Sequence, residues 1–310
     1  MAKANAGEKS KPVRECALCL QTAELQDSHI IPAFAFRWLK SSYVTGYVRN
    51  SQKPNLRVQD GVKLPLLCAS CELLLSRDEN TFSSQLFHPI LSECGVVPYK
   101  DWLLRFAVSL SWRVLKYYSS LNLQSNYTDT QLLLTAQADE TWRDFLLKRR
   151  PHPGIFEQHL LVFTPQTGLL PIDLPNNINR YLLRGIEMDM VSGDQPLMTF
   201  AKMGPFAFLG MIQKPHGKWQ NTKIHVKEGR VAAGVFQAPP LFADFFIERA
   251  KINSEALNAG MSSTQRQKAQ EELNNAIMRD PGAFLSTHHG KAMMADARLF
   301  GEKAILQKPD

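Results

Sequence analysis

Two pairs of cysteines, each with two residues between its sulfurs, constrain the fold of this chain more than any other feature. Cys16 and Cys19 form the first pair, and Cys68 and Cys71 form the second. Each C-x-x-C turn can direct two thiolates at one ion, and four thiolates suit a tetrahedral zinc ion. A structural zinc ion held in this way would join two segments that lie far apart in the sequence.

The same spacing also occurs in buried thiols and in redox dithiols. A thioredoxin-like dithiol needs one pair at a strand-to-helix turn of a βαβ unit, and the sequence around these pairs does not have that pattern. Only Cys94 lies outside the two pairs, so the 310-residue chain lacks the disulfide framework of a small secreted protein. We therefore predict structural zinc in a reducing, cytoplasmic environment.

Charge and hydropathy narrow the classes of partner. The net charge of +7 and the pI of about 9.1 favour a polyanion such as nucleic acid, although basic residues are spread along the whole chain. The polar, basic N-terminal segment lacks the apolar core of a signal peptide, and no apolar run is long enough to span a bilayer. We expect a cytoplasmic protein that has no membrane partner.

Hydrophobic periodicity predicts an α+β protein with three segments. Residues 1–14 read as a flexible basic arm, 15–92 as the cysteine-bearing module, and 93–310 as a second α+β domain of unknown role. In the second domain we predict a helical pair, a mixed, mainly antiparallel sheet and a helical tail. The predicted helices start at Asp101, as N-cap, and at about Asp129; the predicted strands cover 158–165, 181–191 and 198–212; the tail helices cover 241–251 and 263–278.

The candidate catalytic residues lie beside the cysteines. Ser28-His29-Ile30-Ile31-Pro32 follows the first pair, and we predict a short strand that carries His29. A predicted helix runs from Cys71 to about Phe82 and presents Glu72, Ser76 and Glu79 on one face. A neutral histidine can take a proton from water, and carboxylates suit a magnesium or manganese ion.

These motifs together resemble the zinc-anchored HNH, or ββα-metal, endonuclease family, in particular an uncharacterised bacterial branch. The resemblance covers about residues 15–85. His29 matches the general-base histidine, and Glu72 stands where the family has an Asn or His metal ligand. The resemblance implies hydrolysis of nucleic-acid phosphodiesters, with DNA favoured over RNA. It also implies a catalytic Mg²⁺ or Mn²⁺ beside the structural Zn²⁺, and a role in bacterial or phage defence.

Two departures from the family pattern affect the expected activity more than the expected fold. Ser28 precedes the histidine where the family usually has Asp, a metal ligand, while Asp27 lies one position further back. Strand alternation would put Asp27 on the same face as His29. The family's mid-module Asn has only loose counterparts, Asn50 and Asn55.

Each candidate also has a structural interpretation. His29 could hydrogen-bond within a small core, Glu72 could stabilise a helix N-terminus, and Glu79 could form an ion pair. The alternative function is therefore a non-catalytic, zinc-stabilised module that binds nucleic acid or protein. A defence subunit that is active only with a protein partner, or as a homo-oligomer, fits as well.

Basic and aromatic residues alternate between the two cysteine pairs, a composition that suits phosphate contact and base stacking. The basic candidates for nucleic-acid binding are Arg37, Lys40, Arg49 and Lys53. The alternative is a helix over 33–40 that packs on the module. Elsewhere, adjacent His288 and His289 do not form a convincing metal pair, and we predict that they lie in a polar loop.

Overall fold

The structure is a computed structural model, and it describes residues 11–43, 48–50, 53–58, 60–93, 95–122, 126–166, 174–193 and 196–304. Within these ranges, only the backbone is described for residues 48–50, 53, 57, 58, 302 and 303. Helices and antiparallel sheets alternate along the chain, so the predicted α+β class is confirmed.

The cysteine-bearing module consists of short strands and two helices. Its elements are β1 (Val13–Glu15), β2 (Thr22–His29), α1 (Ala33–Ser41), β3 (Val48–Asn50), β4 (Lys53–Val58), β5 (Lys63–Cys68) and α2 (Ala69–Phe82). β2 lies between β1 and β5 and is antiparallel to both. The pairing of β1 shows that the chain is already ordered at Val13, while residues 1–10 of the predicted arm lie outside the described part.

Aromatic packing connects the module to the rest of the chain. α2 leads into a π-helical turn (Ser83–Phe87) and α3 (His88–Leu91). Phe82, at the end of α2, stacks on Phe106 with ring centroids 4.3 Å apart and meets Phe206 and Phe208 edge-on. All four rings are almost fully buried, so one hydrophobic core extends from the module into the following region.

The second region is built around a four-stranded antiparallel sheet of order β7-β10-β9-β8. Its elements are β6 (Val96–Lys100), α4 (Trp102–Ser120), α5 (Asp129–Leu146), β7 (Gln158–Val162), α6 (Ile178–Arg184), β8 (Ile186–Ser192), β9 (Leu197–Met203), β10 (Phe206–Gln213) and β11 (Glu228–Ala232). β11 pairs with β6 in a separate two-stranded ribbon.

The central strands β9 and β10 are buried on both faces of the sheet, which explains why residues 198–212 form an almost continuous apolar run. Phe206 and Phe208 of β10 belong to the core that contains α4, whereas Ala207 and Leu209 face a second core. At Gly210 a β-carbon would lie 2.4 Å from Ser111 Oγ, so α4 approaches the strand as closely as only glycine permits.

The C-terminal part is helical, as predicted, with longer elements. It contains α7 (Leu241–Gly260), α8 (Ser263–Arg279), α9 (Pro281–Ser286), α10 (His288–Phe300) and a 3₁₀ turn (Gly301–Ala304). α7 supplies Phe242 and Phe246 to the second core, while α8 has no buried residue. Among the described helices, none is both long enough and apolar enough to cross a bilayer.

Two local predictions were wrong. Residues 181–184 form the end of α6 rather than a strand, because the amides of Asn179 and Arg180 are held by the buried carboxylate of Asp296. His288 and His289 open α10 instead of lying in a loop, and Thr287 caps that helix. Asp101 is the N-cap residue of α4, as predicted, but its carboxylate pairs with Arg105 and makes no cap hydrogen bond.

Candidate metal centre and candidate active site

The four paired cysteines converge on one point. Cys16 and Cys19 lie in the turn between β1 and β2, Cys68 ends β5, and Cys71 lies in the first turn of α2. Their four Sγ atoms all lie within 4.8 Å of one another. The antiparallel pairing of β2 with β5 sets Leu25 opposite Cys68 and so brings the two C-x-x-C turns together.

The spacing of the sulfurs fits a tetrahedral metal ion. Zn–S bonds of about 2.3 Å in a tetrahedron require sulfurs about 3.8 Å apart, and Cys19 Sγ lies 3.8 Å from Cys68 Sγ. The Cys68 amide donates to Cys16 Sγ over 3.3 Å, a contact that favours a thiolate. The cluster is therefore close enough to bind a metal ion such as zinc.

The thiols of the second pair have divergent acidities. Burial opposes ionisation of Cys68, but hydrogen bonds from Ser70 and from the Cys71 backbone outweigh it and lower the pKa of Cys68 to about 6. Burial, together with the neighbouring Cys68 thiol, raises the pKa of Cys71. One thiolate thus forms readily near neutral pH, while Cys71 would ionise on binding a cation.

Ser28 and Glu72 form a direct contact between β2 and α2. Ser28 is fully buried, and its Oγ donates to Glu72 Oε2 over 2.7 Å. Asp27 is exposed and takes no part in this contact. The two positions at which the family pattern has metal ligands are thus bonded to each other.

His29 forms its contact on the other side of the strand. Its Nε2 lies 2.7 Å from Asp60 Oδ2, and Lys63 Nζ lies 2.8 Å from the same oxygen. Burial raises the pKa of Asp60, but hydrogen bonds from Lys63 and His29 outweigh it and hold that pKa well below its usual range. The sequence did not identify Asp60 as a partner of His29. The available signal was its position just before β5, because His29 pairs with Lys63 at the start of that strand.

Glu79 is bound to a buried arginine from outside the module. Arg113, on α4, lies 2.7 Å from Glu79 Oε1 through Nη2, and its Nη1 donates to the carbonyl oxygen of His29 over 2.8 Å. The guanidinium therefore links α2 to the end of β2. No sequence motif marks Arg113, which is 84 residues from His29.

The three candidate catalytic residues thus lie in one module but form three separate contacts. Across the described ranges, the only group of three or more metal-ligating side chains is the cysteine cluster. The structure therefore does not gather His29, Glu72 and Glu79 around a second ion, and their catalytic roles stay predictions.

The basic candidates are distributed over two elements. Arg37 is exposed and Lys40 is half-buried on α1, a helix that packs on the module as the structural alternative expected. Arg49 and Lys53 belong to the β3–β4 hairpin, where their side chains lie outside the described part. Binding of nucleic acid by this stretch stays a prediction.

Comparison with known proteins adds no relative. No family model matches the chain, and neither the curated proteins nor the solved structures contain a match. Fold and site together define an α+β protein that has a four-cysteine candidate metal centre joining two strands and a helix.

Proposed function

We propose that residues 15–92 form a zinc-stabilised, HNH-like nuclease module that hydrolyses phosphodiester bonds of nucleic acid, DNA rather than RNA. The element order supports this proposal: β2 and β5 are antiparallel, α2 follows β5 directly, and the cysteine cluster lies where the three meet. The resemblance of the Ser-His-Ile-Ile-Pro and Cys-x-x-Cys-Glu motifs agrees with that arrangement.

The observation that carries the proposal is the contact between His29 and Asp60. A carboxylate that accepts a hydrogen bond from Nε2–H fixes the imidazole tautomer in which Nδ1 carries no proton and is free to accept one. The His29 side chain is 22% exposed, so water can reach it. In the proposed reaction His29 Nδ1 takes a proton from water, and the resulting hydroxide attacks phosphorus. The P–O bond to the leaving oxygen breaks, that oxygen takes a proton from solvent water, and the His29 imidazolium returns its proton to solvent.

Zinc would act as a structural ion in this proposal. Four cysteine ligands close the coordination sphere and leave no position for water or substrate. Its role would be to fix the end of β5 and the start of α2 relative to β2, because these elements carry Glu72 and His29.

A catalytic Mg²⁺ or Mn²⁺, which the family resemblance implies, does not fit the contacts of the described residues. Glu72 is bound by Ser28, and Glu79 is bound by Arg113. The proposed reaction therefore has no step at a second ion, and the cleavage assay measures whether activity depends on Mg²⁺ or Mn²⁺.

The direct test is cleavage of supercoiled plasmid by the purified full-length protein with Mg²⁺, Mn²⁺ or EDTA. We expect nicking that His29→Ala reduces by at least about 100-fold, the usual contribution of general-base catalysis. His216→Ala, a change at an exposed histidine far along the chain, serves as the matched control and should cleave like wild type. Equal cleavage by wild type, His29→Ala and Glu72→Ala would refute the proposal.

The second candidate function is a non-catalytic module that binds nucleic acid or a protein. The contacts of Glu72 and Glu79 favour it, because both carboxylates already have partners. The discriminating measurement is metal stoichiometry: one bound zinc, no calorimetric signal for Mg²⁺ or Mn²⁺, and DNA retention without cleavage would establish this alternative.

A further inference from the structure

Arg184, the last residue of α6, is a buried cation without a counter-ion in the described part of the chain. It is 5% exposed, and no carboxylate of the described residues forms an ion pair with it. Arg180, one turn earlier on the same helix, is paired with Asp296 over 2.8 Å. Burial lowers the pKa of Arg184 to about 10, so the guanidinium stays charged at neutral pH.

Aromatic side chains surround this guanidinium. It lies 5.9 Å from the ring centroid of Trp38 and 5.3 Å from that of Tyr43, and its Nη1 donates to Ser42 Oγ over 3.1 Å. His289, from α10, stacks on Tyr43 at 4.2 Å. Elements that are remote in sequence, α1, α6 and α10, therefore meet around one positive charge.

Three buried polar atoms of this cluster have no hydrogen-bond partner among the described residues. They are Arg184 Nη2, Trp38 Nε1 and His289 Nδ1. Buried polar groups in folded proteins are nearly always paired, with protein, water or a ligand. Arg184 lies against Trp38, and both Arg184 and His289 lie against Tyr43, so the three unpaired atoms belong to one cluster. They indicate a ligand that accepts hydrogen bonds.

The start of α10 adds further donors. Its N-cap, Thr287, accepts from the Gly290 amide over 3.0 Å, while the amides of the first helical turn, which include those of His288 and His289, have no intrahelical acceptor. The helix dipole places partial positive charge at this end, as in anion sites of other proteins.

We propose that Arg184, His289 and the N-terminus of α10 form a binding site for a phosphate-type oxyanion. A bound oxyanion would neutralise Arg184 and accept hydrogen bonds from Nη2 and from the α10 amides. A water molecule could accept a hydrogen bond here but could not balance the charge. The aromatic faces of Trp38 and Tyr43 are already occupied, so the site recognises the anion and not a base.

Two sources of this anion share the same chemistry: free inorganic phosphate and the terminal phosphate of a nucleic-acid strand. α1, which begins four residues after His29, carries Trp38, and Trp38 contacts Arg184, so the site lies beside the proposed nuclease module. The proposal does not depend on cleavage, because binding is measured without divalent metal and without hydrolysis.

The experiment is a titration of the full-length, zinc-loaded protein with inorganic phosphate in HEPES, with chloride at matched ionic strength as the reference. We expect phosphate to bind with a Kd in the millimolar range or lower. At a phosphate concentration about ten times the Kd, Tm should rise by about 3 °C. Arg184→Met should weaken phosphate binding at least tenfold. Arg298→Met, which removes the same charge from an exposed position of α10, should leave it unchanged.

Further measurements distinguish free phosphate from strand ends and allow for a variant that does not fold. Competition by a 5′-phosphorylated oligonucleotide, but not by its 5′-hydroxyl form, would assign the site to strand ends; displacement by neither would assign it to free phosphate. If Arg184→Met does not fold, the phosphate affinity of Arg184→Lys is compared with that of wild type instead. A wild type that responds equally to phosphate and chloride, or an Arg184 variant that binds phosphate like wild type, would overturn the proposal.

Discussion

Ser28 Oγ donates a hydrogen bond to Glu72 Oε2 over 2.7 Å, so the penultimate residue of β2 is bonded to the first turn of α2. The serine is fully buried, and the carboxylate it binds is half-buried. A hydroxyl can donate to this carboxylate, whereas an aspartate could share the site only with a proton or a cation. Ser28 therefore gives Glu72 a hydrogen-bond partner without a metal ion.

Replacement of Ser28 by aspartate tests this relationship. We expect Ser28→Asp to lower the free energy of unfolding by about 2–4 kcal/mol in EDTA, because two carboxylates would face each other in a buried site. Mg²⁺ or Mn²⁺ should restore much of that loss in Ser28→Asp and leave wild type unchanged. Thermal denaturation with and without each ion measures both effects, and Ser28→Ala is the control that adds no charge. Insensitivity of Ser28→Asp to both ions would contradict the expectation.

Loss of one cysteine ligand should abolish metal binding and destabilise the module. We expect wild type to bind one zinc ion per chain, and Cys71→Ser to lose it and to lower Tm by roughly 10 °C or more. Elemental analysis and thermal denaturation measure these quantities. EDTA should lower the Tm of wild type toward that of Cys71→Ser. Cys94→Ser, outside both pairs, should retain zinc; a Cys71→Ser protein with full zinc content would be incompatible with the assigned cluster.

The ion pair between Glu79 and Arg113 should be structural. Arg113 is almost fully buried, so Glu79→Ala would leave an unpaired buried charge and cost about 3–5 kcal/mol of unfolding free energy. The double variant Glu79→Leu/Arg113→Met should recover much of that loss. Urea denaturation measures the difference, and Glu140→Ala on the exposed face of α5 should change stability by less than about 0.5 kcal/mol. A Glu79→Ala protein as stable as wild type would instead favour a functional role.

Acid should destabilise the protein partly through His289. Burial, with the positive charges of Arg184 and Arg180, lowers the pKa of His289 to about 3. Because the unfolded state binds the proton near pH 6.5, stability is unaffected above that pH. It then falls as pH decreases toward 3, with a limiting slope of about 1.4 kcal/mol per pH unit. Denaturation between pH 7 and 4 in phosphate-free buffer should show a shallower decline for His289→Phe. His216→Phe should match wild type, and parallel curves for all three proteins would contradict the assignment.

The cysteine centre was predictable from sequence because its information is local. Two residues between sulfurs are enough to form each turn, and a metal site needs only that two such turns meet. The amphipathic α4 and α5 were predicted for the same reason, since periodicity records which side of a helix is buried. The apolar run of β9 and β10 indicated strands without revealing their two buried faces.

Long-range contacts decided everything that those local patterns left open. Arg113 reaches His29 and Glu79 only because α4 packs against α2, and Asp296 holds the start of α6 from the other end of the chain. The sequence by itself therefore determined the four-cysteine centre and the α+β class. Only the tertiary structure decided that Ser28 binds Glu72, that Asp60 contacts His29 and that Arg184 is buried without an acidic partner among the described residues. The partner of a side chain depends on which elements pack together in the tertiary structure, and residue spacing along the chain does not specify that packing.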